Sequence, residues 1–466
     1  MRIGFSVVPG EMKSLRNSFA ACALALLAFV LATSADGNAI PAFARKYGLP
    51  CSACHETWPK LNVFGQTFKD NGYQLMNDRD SPIWQNPSYW PVTFRITPNW
   101  HRESVNRVAT DTAAGQNTAE AKLTTHGFDL SGLDILTGGT LYNNISFLLT
   151  PSADSTATFH FESAWVRFDN LAKSPWLNLK FGKFELDNII SEKRIETLSN
   201  NGGLYQLYHF EPVGDNNMFG AIGDNQLGFE VGGHSVNDRT RYSIAVVSSN
   251  DGQVGLPNGN SYSAFLTASQ AFDAGYGGGV DRVGAYYFGG EAPVFYSLSG
   301  GVPIAGSGKV NKSFHREGAF ALLYAKKLDF SLFYQHGWDN AYFGTSTVGD
   351  NVGGLPALPA GAHAPSWNGF FVETHYTHSP QLIFIQRSEW VRMSHQGIEG
   401  VPGAPRSNLG DIDAYTAAVR YYPFMFSRAG MALHGEYSFV RQMGTAPVSG
   451  LNLSSSSAMF GIDFDF

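Results

Sequence analysis

From Val92 to the C-terminus, segments of about ten residues recur in which apolar and polar side chains alternate. A period of two places successive side chains on opposite faces of a strand. Ser331, Phe333 and Gln335 alternate with Phe330, Leu332 and Tyr334. Tyr242, Ile244 and Val246 alternate with Ser243, Ala245 and Val247, and Phe159, Phe161 and Trp165 with His160, Glu162 and Ala164. In the last segment Phe460, Ile462, Phe464 and Phe466 fall on one face and Asp463 and Asp465 on the other. So many two-faced strands leave a closed barrel or stacked sheets as the available architectures.

Composition chooses between them. Aromatic residues are 14%, charged residues 15%, and glycines number 51. A soluble domain carries about 25% charge. No apolar run after residue 40 reaches the roughly 20 residues of a membrane helix. These traits predict an all-β transmembrane barrel of about 16 antiparallel strands; a soluble sandwich or propeller is the alternative. The strands are expected at 92–102, 121–131, 140–149, 157–168, 176–185, 226–235, 239–249, 263–272, 280–289, 316–327, 329–338, 368–377, 381–391, 411–421, 429–440 and 458–466. Long connections fall near 103–120, 186–225, 250–262, 290–315, 339–367, 392–410 and 441–457. Short turns fall at Asn237-Asp238, Lys327-Leu328 and His378-Ser379-Pro380. Bacterial outer-membrane barrels have long outer loops and short periplasmic turns, which puts both chain ends on the periplasmic side.

The first 35 residues have the form of a secretory signal peptide: Lys13 and Arg16, an apolar stretch from Ser18 to Leu31, then Ala32-Thr33-Ser34-Ala35. Cleavage there removes Cys22, one of three cysteines. It also removes three basic residues and one acidic one, so the formal charge moves from -7 to about -9. That acidity disfavours nucleic acid as a partner.

The remaining two cysteines lie in Cys51-Ser52-Ala53-Cys54-His55, the C-x-x-C-H attachment signature of a c-type haem. Two thiols on one edge of a helical turn can add to the porphyrin vinyl groups, and His55 is then placed to bind the iron. A zinc site would need a second pair of ligands, and a thioredoxin-like pair would need a βαβ setting. The expected cofactor is therefore one covalently bound haem c, held by Cys51, Cys54 and His55. Pro50 suits the first turn of the helix carrying the motif, and Pro59 could open a second. Leu61, Phe64 and Phe68 form an apolar stripe on it, and Asn71-Gly72 ends it. Met76 is the nearest candidate for a sixth iron ligand, with His101 and His126 next, or the position is open. The segment 36–85 is too small to bury both faces of a porphyrin. It is expected to plug the lumen of the barrel formed by 86–466, whose wall would cover the second face.

The run Ala39, Pro41, Phe43-Ala44-Arg45, Gly48, Cys51, Cys54-His55, Pro59, Leu61, Gly65, Phe68-Lys69, Gly72-Tyr73 resembles the N-terminal motif of the fused monohaem cytochrome–porins. These are outer-membrane cytochromes of iron-oxidising bacteria. The resemblance implies an outer-membrane location, an extracellular electron donor such as Fe(II), and a periplasmic cytochrome as acceptor. Carboxylates of the longest connection, Glu192, Glu196, Asp215 and Asp224, could offer oxygen ligands to a metal donor, but a solvated loop face is the stronger account of each and none is assigned. A diffusion porin with a haem plug or sensor, and an outer-membrane haem peroxidase, are the alternatives.

Overall fold

The computed structural model describes residues 43, 46–57, 60–75, 92–110, 119–153, 158–187, 222–223, 225–248, 261–295, 298–299, 302–303, 309–339, 366–393, 411–425, 429–444, 449 and 451–465. Sixteen strands form one closed antiparallel barrel. They are β1 (Val92–Ala109), β2 (Glu120–Tyr142), β3 (Ile145–Ala153), β4 (Phe159–Phe168), β5 (Asn178–Phe184), β6 (Gln226–His234), β7 (Thr240–Ser248) and β8 (Tyr262–Phe272). The second half is β9 (Asp281–Phe295), β10 (Lys309–Ala325), β11 (Leu328–Asp339), β12 (Ser366–Ser379), β13 (Leu382–Met393), β14 (Ile412–Met425), β15 (Gly430–Gln442) and β16 (Leu453–Asp465). Each pairs with its chain neighbours, and β16 returns to pair with β1. The turns after β2, β10 and β12 hold two residues each, 143–144, 326–327 and 380–381. β5, β11 and β13 end at the opposite rim.

The two faces separate as alternation requires. Ile244, Tyr334, Phe460 and Ile462 are exposed on the outside, whereas Ser243, Ala245, Phe333, Gln335, Asp463 and Asp465 are buried on the inside. An apolar exterior on a closed sheet is the surface that lipid accepts, since no backbone edge is left unpaired in hydrocarbon.

Two stretches depart from the simple pattern. Phe159, Phe161 and Trp165 do not share a face. The ladder between β3 and β4 shifts by one residue between Thr150 and Pro151. This bulge turns Phe159 (52% exposed) and Phe161 (47%) outward while Trp165 (7%) faces inward. The second departure is β2, which was expected to end near 131 and runs on to Tyr142. The expected gap between the strands at 121–131 and 140–149 holds Gly138 and Gly139. A Cβ on Gly138 would sit 3.6 Å from the Phe43 ring, and Thr140 donates to the Gly72 carbonyl at 3.3 Å. These small residues let another part of the chain approach the wall. Residues 121–130, expected to be the membrane-spanning strand, are exposed at the long-loop end.

The closing seam is held by side chains as well as backbone. Asp463 on β16 accepts two hydrogen bonds from Arg95 on β1, at 3.0 and 3.1 Å, and one from Arg420 on β14 at 2.7 Å. The Asp463 and Arg420 side chains are fully buried. Removing one partner of a buried ion pair costs about 3–5 kcal/mol because the other charges stay behind. Asp463→Ala is therefore expected to lower stability by that amount in urea titrations of the folded barrel, followed by heat-modifiable gel migration. Phe460→Leu, on the exterior, is expected to change it by no more than about 0.5 kcal/mol. Equal midpoints for the two variants would remove Asp463 as the clamp.

Candidate functional site

The C-x-x-C-H motif lies on a single helical turn, α1 (Cys51–Cys54), with His55 starting a short extended piece that pairs with Lys60–Leu61. The Ala53 amide donates to the Pro50 carbonyl at 2.9 Å, closing the turn that Pro50 begins. The second helix, α2 (Val63–Asp70), opens after Asn62, four residues beyond Pro59. Asn62 explains the later start: its side-chain oxygen accepts from the Gly65 amide at 2.8 Å, satisfying a donor that no helical carbonyl can reach. The same residue ties the two helices together. Its side-chain amide donates to the Ala53 carbonyl at 3.0 Å and its backbone amide to the Cys54 carbonyl at 2.9 Å. Gly65 completes the contact, because a Cβ there would lie 2.0 Å from the Cys54 carbonyl oxygen. As expected, α2 stops at Asn71-Gly72, where Gly72 adopts φ +80°.

Cys54, His55, Phe43, Tyr47, Leu49, Leu61, Gly65, Phe68, Lys69 and Tyr73 line one pocket. It encloses about 610 Å³ of atom-free space, part of it open to solvent. Its lining is almost wholly apolar, and His55 is 7% exposed. Of the expected stripe, Leu61 and Phe68 face this pocket, whereas Phe64 is 44% exposed and points away. With α2 beginning at Val63, Gly65 and Phe68 form its inner face and Phe64 turns out of it. Burial pushes the Cys54 thiol up to about 11, the opposite of the lowered value that makes a redox-active thiol pair reactive. A half-buried thiol and a buried imidazole at adjacent positions in an apolar pocket are two of the three groups that a covalently attached haem requires, and these two fit that cofactor; the side chain of Cys51 lies outside those described.

The segment rests on the inner wall of the barrel at the short-turn rim. Tyr73 stacks on Phe43 (4.8 Å between centroids, 9° between planes) and on Trp165 of β4 (6.2 Å, 22°). Phe68 and Tyr73 belong to one apolar cluster with Trp165, Phe184, Leu186 and Val247. Polar contacts surround it. Arg167 donates to the carbonyls of Lys69 and Asp70 at 2.8 and 3.0 Å, capping the C-terminus of α2 where the helix dipole is negative. Arg241 of β7 pairs with Asp70 at 3.1 Å, and the Thr67 hydroxyl donates to Asp238 at 3.0 Å. Gln74 donates to the Asn143 carbonyl at 3.0 Å. Burial alone would raise the Asp70 carboxyl, but Arg241, His234, Arg167 and Lys69 outweigh it and hold it at about 2.

Met76, Glu192, Glu196, Asp215 and Asp224 lie outside the described residues. His101 sits on β1 in the barrel wall, where Asp129 and Ser457 engage its two ring nitrogens at 2.9 and 2.8 Å. His126 is exposed on the projecting part of β2. Neither lines the pocket. Trp165, Arg167 and Arg241 complete the site from the barrel side. Alternation in β4 and β7 marks them as wall residues, but no sequence pattern signals what they touch.

No protein-family model and no curated protein matches the chain. Among solved structures it is similar to an anion-selective porin from Comamonas acidovorans (10% identity, TM-score 0.47), covering 80% of this chain and 98% of that one. It is also similar to a loop-deleted OmpT, an outer-membrane protein of Vibrio cholerae (11%, 0.46; 80% and 99%), and to a Pseudomonas aeruginosa FadL homologue (11%, 0.34; 83% and 94%). The closed 16-strand antiparallel sheet with its apolar exterior is the architecture of an outer-membrane-type transmembrane β-barrel.

Two outcomes follow from this geometry. Gly65→Ala forces the Cys54 carbonyl and α2 apart, so protease cleavage within 43–75 should rise sharply while the barrel keeps its heat-modifiable migration; unchanged cleavage would show that the close approach is not needed. Asp70 is held below its ordinary value of 3.8. Its contribution to docking is then complete above about pH 4 and lost as the pH falls toward 2. Pepsin accessibility of the segment should climb over that window in the native chain and show no such step in Asp70→Asn.

Proposed function

We propose that this chain is an outer-membrane electron-transfer cytochrome, a porin-like barrel whose N-terminal segment, 36–85, carries one c-type haem within the lumen. The observation that carries this reading is the apolar pocket around Cys54 and His55, backed by the barrel wall at the short-turn rim. Cys51 and Cys54 would hold the porphyrin through thioethers and His55 would bind the iron. A haem held there supplies reversible one-electron chemistry. The chain's own residues perform the rest. Leu49, Leu61 and Phe68 exclude water from the pocket, Asn62 fixes α1 against α2, and Arg167 and Arg241 orient the segment on the wall. The membrane insulates, so a donor that cannot cross it has to deliver electrons through the barrel. The short-turn rim then faces a periplasmic cytochrome as acceptor. By the resemblance of residues 39–73, the donor is extracellular Fe(II), a substrate rather than a resident metal.

A diffusion porin is the second reading, favoured by the closed barrel with its polar inner wall. Haem staining of the denatured chain, made in a host that matures c-type cytochromes, should be positive and should vanish in Cys51→Ala/Cys54→Ala. Anoxic stopped-flow mixing with Fe(II) should reduce the oxidised chain. No covalent haem, together with large ohmic conductance in planar bilayers, would establish the porin instead. Covalent haem that Fe(II) never reduces would eliminate iron as the donor.

A further inference from the structure

On the reading that the chain transfers electrons, we propose that Trp165 couples the Cys54–His55 pocket to the barrel wall, as a bridge through which the electron passes. Phe43 and Tyr73 both line the pocket, and Tyr73 stacks on each of Phe43 and Trp165. This gives an unbroken series of rings from pocket to wall. The same apolar cluster continues along the inner wall through Phe184, Val247 and Phe265 to Phe288, Phe314 and Trp367. Within its upper part, Phe265 lies 6.1 Å from Phe288, and Phe288 lies 5.3 Å from Phe314. Trp367 is the second residue of β12, close to the long-loop rim.

The charges around Trp165 define its role. The Lys180 ammonium lies 5.6 Å and the Arg167 guanidinium 5.7 Å from its ring centre. Both cations are paired with carboxylates, Lys180 with Glu230 and Arg167 with Asp169, so it is their contact with the ring face, rather than a net charge, that raises the cost of forming a positive ring. Trp165 therefore carries the electron without being oxidised. One electron would leave the donor on the long-loop side, which is oxidised by one unit, and would reduce by one unit the haem iron that Cys51, Cys54 and His55 would hold; no bond forms or breaks.

Two measurements test this, the first on haem-free chain. In the Cys51→Ala/Cys54→Ala background, Tyr73→Leu should shift the tryptophan emission, and adding Trp165→Phe should abolish that shift. An identical shift without Trp165 would refute the contact. The second uses the haem-loaded chain with a ruthenium photosensitiser tethered to a cysteine placed at Ser366, next to Trp367 on the long-loop rim. Flash reduction should slow by an order of magnitude or more in Trp165→Leu. The haem-to-protein ratio and midpoint potential should stay at the native values, and Trp165→Phe should restore most of the rate. Equal rates in the native chain and Trp165→Leu would overturn the bridge and leave the electron-transfer reading intact. Absence of covalent haem in the native chain would overturn that reading and the bridge with it.

Discussion

Closure of the sheet is the constraint on which the rest depends. A strand edge in hydrocarbon leaves each unpaired amide and carbonyl several kcal/mol out of place, so the last strand has to find the first. β16 does so with a ladder from Ser455↔Val105 to Asp465↔Arg95. Asp463 reinforces the join by binding Arg95 on one side and Arg420 on the other. The interruption of the ladder between Gly461↔Asn99 and Phe464↔Ile96 falls at this carboxylate, where side chains take over from backbone.

Closure also dictates what an internal segment can bind to. With every exterior position given to lipid, the inner face collects the polar half of each strand: Arg167, Glu230, Arg241, Glu373, Arg387 and Arg420 are all buried there. A segment that docks on such a wall cannot rely on apolar contact alone. The described part of 43–75 meets it with one apolar patch, Phe68 and Tyr73 against Trp165, ringed by hydrogen bonds and ion pairs.

The barrel was largely legible in the sequence because its signal is local. A period of two, read over ten residues, gave the number of strands and the face of Ser331, Phe333 and Gln335, although in β2 it found only the projecting end. It failed where one residue changes the count or where small residues serve a distant neighbour. The bulge in β4 reversed Phe159 and Phe161, and residues 132–139 fell between two expected strands although they continue β2, where Gly138 makes room for Phe43. In the candidate site the motif identified Cys51, Cys54 and His55 from covalent chemistry. Asn62 was overlooked although it carries a recognisable N-cap signal. Arg167 and Asp238 could not have been found, since they meet α2 across separations of 98 and 171 residues.

The division between apolar and polar contacts at this junction has a consequence for orientation. Stacking of Tyr73 on Trp165 brings the two surfaces together but tolerates sliding, because dispersion is nearly directionless. Arg167 removes that freedom. Its guanidinium reaches two successive carbonyls, Lys69 and Asp70, while a second nitrogen is fixed by Asp169 at 2.5 Å. Gly72 brings the chain so close to Asp169 that a Cβ would lie 2.7 Å from its oxygen, so the end of α2 fits the wall in one position. Since Gly65 presses α2 against the Cys54 carbonyl, that position is passed on to α1. The direction in which Cys54 and His55 face is therefore set by β4 and the turn that follows it, more than a hundred residues downstream of the motif.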